Sequence, residues 1–140
     1  MKAPGPDKTA EFRFRHDAHS GVPLYRQLID QVLAAVARGT LRTGDQLPTV
    51  RQVAVDLAIN PNTVMRAYRE MEIREILDTQ QGSGTFVAEP KVIGSSEERG
   101  RQLEQLIREF VARGGSLGFT AQELIRRLRD TVEETGSRRK

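Results

Sequence analysis

The residues with the most chemistry to offer lie between Ile59 and Met71: Asn60, Asn62, Thr63, Arg66 and Arg69 are spaced along one short stretch. Asn60 is a strong N-cap, and Pro61 suits the first helical position, where its missing N–H has no partner to lose. A helix therefore starts abruptly at Pro61. At about 100° per residue, Val64, Ala67, Tyr68 and Met71 gather on one side, while Asn62, Arg66, Arg69 and Ile73 lie opposite. The presented side offers amides, which pair bidentately with an adenine edge, and guanidinium groups, which suit guanine or phosphate. It is built as a recognition helix is built, although an amphipathic helix with a merely solvated polar face has the same pattern. The neighbouring elements have to decide.

Upstream, a first helix from about Pro23 to Arg38 carries Leu24, Leu28, Ile29, Val32, Leu33 and Val36 and stops at Gly39. Thr43, Gly44 and Asp45 form a turn. Thr49 then caps a short second helix, about Val50 to Ala58, with Gln52 placed to complete a capping box. Val50, Val53, Ala54 and Leu57 are its core stripe, and Arg51 points outward. Ala58 to Pro61 leaves room only for a turn, so the second and third helices form a helix-turn-helix. Ile76–Gln80 and Thr85–Ala88 alternate as strands about Gln81, Gly82, Ser83 and Gly84. This is a β-hairpin wing. Its glycines are not followed by Gly-Lys-Ser/Thr or by a helix, which excludes a nucleotide loop; the tip is either a structural turn or a place where backbone N–H groups approach a phosphate.

Residues 22 to 88 resemble the winged helix-turn-helix domain of the GntR family of bacterial transcription regulators. The matching motifs are Pro23-Leu24-Tyr25, Gly44-Asp45-Gln46-Leu47-Pro48-Thr49-Val50-Arg51, Asn60-Pro61-Asn62-Thr63-Val64 and Gly82-Ser83-Gly84-Thr85-Phe86-Val87. The resemblance implies DNA contacts from Arg51, from Asn60, Asn62, Thr63 and Arg66 at the groove, and from Gln81 and Gly82 in the wing. With Arg69 from the presented face and Ser83 from the wing tip, these are the candidate DNA-binding residues. Three departures stand out. Pro61 and Met65 occupy positions where many members carry arginines, so the base-reading code is not transferable; Gln80 and Gln81 replace frequent wing arginines; and Glu75 stands where a glycine usually closes the recognition helix. A left-handed Glu75 would cost about 1 kcal/mol, or else the turn must change.

Composition sets the outer bounds. The chain has 140 residues and no cysteine, which excludes disulfides and thiol chemistry. No apolar run approaches a membrane span, so no membrane partner is expected and a cytoplasmic location is. Lys+Arg against Asp+Glu is 11 to 11 in residues 1–90 and 11 to 8 in residues 91–140, which places the whole excess of +3 in the last part. DNA affinity of the first part must come from local charge placement. Residues 1–21 read as an N-terminal arm, disordered at least to residue 10, with a short arm or edge strand around Phe12 and Phe14. His16 and His19, the two histidines, have no third ligand in sequence and read as solvated arm residues rather than a metal site. No cofactor is expected.

Residues 89–95 are a linker, 96–134 a helical region and 135–140 a disordered tail. Ser95 with Glu98 opens one helix, which Gly114 and Gly115 would end, and Thr120 with Glu123 opens the next. Leu103, Leu106, Ile107, Phe110 and Val111 on the first, and Leu124, Ile125, Leu128 and Val132 on the second, form two apolar stripes. Two such helices cannot enclose a small-molecule pocket, and a second copy of the chain is the expected cover. The YtrA-like branch of the family, with its short helical dimerisation region, implies the same. The expected fold is thus mainly α with a small β-hairpin: a winged helix-turn-helix domain followed by a C-terminal helical hairpin. The expected function is a homodimeric repressor, not an enzyme, on a palindromic operator in double-stranded DNA, any small-molecule effector being unknown. The rival is a winged-helix protein-interaction module.

Overall fold

A computed structural model describes residues 12–139, with side chains through residue 133; the expected disorder of residues 1–10 lies outside the described residues. The chain divides into two compact units, one up to Pro90 and one from Lys91. In the first, α1 (Leu24–Arg38), α2 (Val50–Leu57) and α3 (Pro61–Ile73) precede an antiparallel pair, β1 (Leu77–Gln80) and β2 (Gly84–Val87). Leu77 faces Val87 and Gln80 faces Gly84 across the hairpin. A mainly α winged helix-turn-helix is what the sequence pattern calls for.

The helix starts are chemically determined. Thr49 Oγ1 accepts from Gln52 N–H at 3.1 Å, while Gln52 Oε1 accepts from Thr49 N–H at 2.8 Å, a complete capping box on α2. The wing has a third participant that alternation did not reveal. Gln46 bridges Phe86, Leu47 N–H donates to Thr85 O at 2.8 Å, and Val87 N–H donates to Asp45 O at 2.9 Å. Residues 44–47, of which the sequence pattern places Gly44 and Asp45 in a turn, thus close one edge of the hairpin.

The core is built on α1 and α3. Leu28, Ile29 and Val32 from α1 meet Val64, Ala67, Tyr68 and Met71 from α3, with Leu41, Leu47, Val53, Leu77 and Val87 closing round them. The N-terminal arm also contributes. Phe12 and Phe14 are buried, their rings edge-to-face at 4.8 Å, so this part of the arm belongs to the core. It forms no strand. Its backbone is instead paired by two glutamines one turn apart on α1: Gln31 accepts from Arg15 N–H and donates to Arg15 O, both at 2.8 Å, and Gln27 does the same for Asp17 at 3.0 Å. Side-chain amides have replaced a strand partner, which period-two reading cannot detect. His16 and His19 are exposed on this segment.

Both ends of α3 adjoin left-handed residues without glycine. Ala58 has φ 54° and ends α2, with Ile59 N–H donating to Ala54 O at 3.0 Å. Glu75 has φ 60°, Ile76 N–H donates to Met71 O at 2.8 Å and Glu75 N–H to Glu72 O at 3.0 Å. The second is a Schellman closure with a glutamate in the glycine position. The turn is kept, at the cost of crowding between the Glu75 Cβ and the backbone carbonyl.

In the second unit, α4 (Ser96–Ser116) and α5 (Ala121–Arg139) form a helical hairpin. Ser95 caps α4 by accepting from Glu98 N–H at 3.2 Å. At α5, Thr120 Oγ1 accepts from Glu123 N–H at 3.1 Å, and the Glu123 carboxylate accepts from Thr120 N–H at 2.9 Å. That backbone bond, then the Thr120 hydroxyl, holds the Glu123 carboxyl below its ordinary range, so the cap is complete at neutral pH and lost only on acidification below the lowered pKa.

Two expectations need correction. α4 does not end at Gly114 and Gly115 but continues to Ser116, because the closing glycine is the left-handed Gly118 (φ 88°), with Phe119 N–H donating to Gly114 O at 2.9 Å; a Cβ on Gly114 would lie 2.6 Å from Leu124 Cδ1. Gly114 serves a helix crossing, not a helix end. α5 continues through the expected disordered tail to Arg139, since Gly136 alone costs a helix only about 1 kcal/mol and no proline stops it.

The left-handed Glu75 gives a direct test. Glu75→Gly is expected to stabilise the protein by about 0.5–1 kcal/mol, read as a raised urea midpoint at unchanged slope. An unchanged or lowered midpoint would mean that the glutamate's contacts outweigh its backbone strain.

Candidate nucleic-acid interface

α3 presents its outer face because its inner face is committed. Tyr68 is the anchor: its phenol donates to Pro48 O at 2.6 Å, tying the middle of α3 to the residue before the α2 cap. Burial pushes the phenol's pKa well above its ordinary value, so it remains a donor at any physiological pH. With Val64, Ala67, Tyr68 and Met71 inside, Asn62, Arg66, Arg69 and Ile73 are exposed.

The candidate residues do not all stand free for a ligand. Asn60 Oδ1 accepts from Asn62 N–H at 2.8 Å, so its oxygen is engaged as the N-cap of α3. Asn60 sets where the helix begins rather than offering a whole carboxamide to a base. The Arg66 guanidinium lies 3.8 Å from the centre of the Tyr25 ring at the start of α1. This cation–π contact restricts the side chain before any partner arrives, a link across elements that helical spacing alone does not disclose. Asn62 and Arg69 are exposed, and Thr63 is half-buried.

The start of α2 and the start of α3 meet. Arg51, Val55, Ile59 and Pro61 line one shallow cleft, which brings the outward Arg51 beside the first turn of α3. The wing is held to α3 one residue pair below its tip: the Thr79 hydroxyl donates to the Glu72 carboxylate and lies 3.1 Å from the Thr85 hydroxyl across the hairpin. At the tip, Gln81, Gly82 and Ser83 are exposed, with Ser83 N–H donating to Gln80 O at 2.9 Å. Gln46 Nε2 donates to Ser83 O at 3.2 Å, and a Cβ on Gly84 (φ 129°) would fall 2.5 Å from that nitrogen. Gln46 and Gly84 therefore set the tip geometry together. Sequence spacing identified the tip but not its support from residue 46.

Such an assembly, with a capped helix presenting amides and guanidinium groups, an arginine beside its first turn and a tethered hairpin, can contact phosphates and base edges together. No enclosed catalytic arrangement is needed for it. Among the described residues no group of three metal-ligating side chains is found, and no helix is long and apolar enough to cross a membrane.

Residues 24–87 match the family model described as bacterial regulatory proteins, gntR family. The chain is 36% identical over 114 residues to the HTH-type transcriptional regulator YhcF of Bacillus subtilis, covering 81% of this chain and 93% of that protein. It is 39% identical over 95 residues to the HTH-type transcriptional repressor YtrA of the same organism, covering 65% and 73% respectively. The solved structure of YtrA from Sulfolobus acidocaldarius, a GntR-family transcription factor, superimposes with a TM-score of 0.52 at 28% identity, covering 71% of this chain and 97% of that one.

The two asparagines at the start of α3 are separable by experiment. Asn60→Ala is expected to lower unfolding stability by about 1 kcal/mol through loss of the cap, with Asn60→Ser restoring it, whereas Asn62→Ala leaves stability within about 0.5 kcal/mol. Chemical denaturation of the three variants checks this.

Proposed function

The chain belongs to the GntR family of bacterial regulatory proteins, in its YtrA-like branch, and from that premise we propose that it represses transcription as a homodimer on a palindromic operator. The observation that carries the proposal is the exposed face of α3, set by Tyr68 and the buried stripe beside the Arg51 cleft and the wing. α3 enters the major groove by its N-terminal half. Asn62, Thr63 and Arg66 set sequence preference there, Arg66 being pre-positioned by Tyr25. Arg51, Arg69 and the wing tip at Gln81, Gly82 and Ser83 meet the phosphates, and Asn60 acts through the helix start it caps. Because the first 90 residues carry no net charge, affinity rests on these few placed groups. Its place of action is the cytoplasm, where the DNA is.

A second copy of the chain is the natural cover for the second unit. Leu103 and Leu106 are each 60% exposed, and Ile107, Phe110, Val111 and Leu128 also remain open, while Leu124 is half-buried against α4. A two-fold pairing of these stripes would present two copies of α3 to half-sites about 10 base pairs, or a multiple of that, apart.

Fluorescence anisotropy on DNA from upstream of its own gene, against a scrambled duplex at two salt concentrations, tests the regulator. Tight binding with a preference that survives higher salt is expected; equal, weak and salt-sensitive binding to both would favour a protein-interaction module. Asn62→Ala is expected to lose about 1–3 kcal/mol of preference per half-site. Arg51→Ala should weaken binding to both duplexes and reduce the logarithmic salt slope by about 1 per half-site, about 2 for the dimer. In sedimentation velocity, the protein is expected to run as a dimer, and Phe110→Glu as a folded monomer. A wild-type monomer at micromolar concentration would overturn the pairing.

A further inference from the structure

The recognition face is not uniformly polar, and its apolar part points to a base. Helical spacing puts Pro61, Met65 and Arg69 in one row of α3, adjoining the row of Asn62, Arg66 and Ile73. Met65 is 44% exposed, Pro61 is exposed, and Pro61 adjoins the apolar cleft formed with Val55 and Ile59. The half of α3 that leads into a groove therefore carries a flexible thioether beside a proline.

Resting on the groove-binding reading above, we propose that Met65 reads a thymine through its 5-methyl group. That methyl is the one apolar group any base presents at the major-groove edge. Packed on it, the Met65 side chain gains apolar burial. Packed on a guanine, adenine or cytosine edge, it would strip water from N7, O6 or an amino group and offer no hydrogen bond in return. The same side chain thus rewards thymine and penalises the alternatives.

Two other exposed apolar residues fit less well. Ile73 lies at the far end of α3, where a helix entering by its N-terminus leaves the base edges, and Val55 lies on α2, which crosses the backbone. Asn62, three residues before Met65, suits adenine, so the two together specify a half-site with an adenine and a thymine close to each other.

The test uses the full chain. Duplexes enriched from a random pool supply the half-site, and each thymine is then replaced singly by deoxyuridine, which removes only the methyl. For one thymine of the half-site, wild-type affinity is expected to fall about fourfold, the worth of one buried methyl-sized group. Met65→Ala should bind the thymine and uracil duplexes equally, and Met65→Leu should keep the difference. The inference is overturned if no thymine is methyl-sensitive, or if Met65→Ala, with an unchanged far-ultraviolet circular dichroism spectrum, retains the thymine preference. If no sequence is enriched at all, the sequence-specific regulator falls and this inference with it; enrichment without methyl sensitivity removes this inference alone.

Discussion

The first unit depends on the burial of one stripe of α3. Val64, Ala67, Tyr68 and Met71 are the surface against which α1, α2 and β1 pack, and the Tyr68 phenol adds a directed bond to Pro48 O. Apolar burial fixes which side of the helix is inside, and the phenol bond helps to fix its rotation. Every outward group on α3 inherits its direction from this. A recognition helix must be rigid on its hidden face before its exposed face can discriminate among bases.

The helix is also bounded firmly. Ala58 ends α2 in a left-handed conformation just before the Asn60 cap, and Glu75 closes α3 in another. Neither residue is the glycine that the geometry favours. The chain keeps a short turn into α3 and a sharp exit toward β1 because both neighbours are over-determined: Ile59 and Ile76 are each bonded back to the preceding helix and pack against the core. Glu72 then reaches Thr79 and ties that exit to the wing. The departure from the family's glycine is accommodated locally and leaves the architecture unchanged.

The second unit follows a different physical regime. Its helices are capped as well as any in the chain, and Gly114 admits Leu124 at the crossing, yet Leu103, Leu106 and Phe110 keep large exposed areas. Good local signals and one close contact define the hairpin, but two helices have too little surface to bury each other's stripes. Such a unit is suited to association with a further apolar surface.

Much of this was legible in the chain. Periodicity and caps located the five helices of the described residues, the Gly82–Gly84 turn located the wing, and the face of α3 followed from helical spacing, because these are local properties with short-range causes. What sequence alone could not supply came from contacts between distant residues. The Gln27 and Gln31 amides bind the arm's backbone, Gln46 supports the wing tip, Tyr25 holds Arg66, and Gly114 serves a crossing rather than a terminus. Each pairs residues at least ten positions apart, or a side chain with a backbone group, and no repeat of two or of 3.6 encodes such a meeting. The sequence by itself determined which elements form and which face each one shows. Only the tertiary structure decided which exposed side chains are already engaged, because that depends on where the elements come to rest against one another.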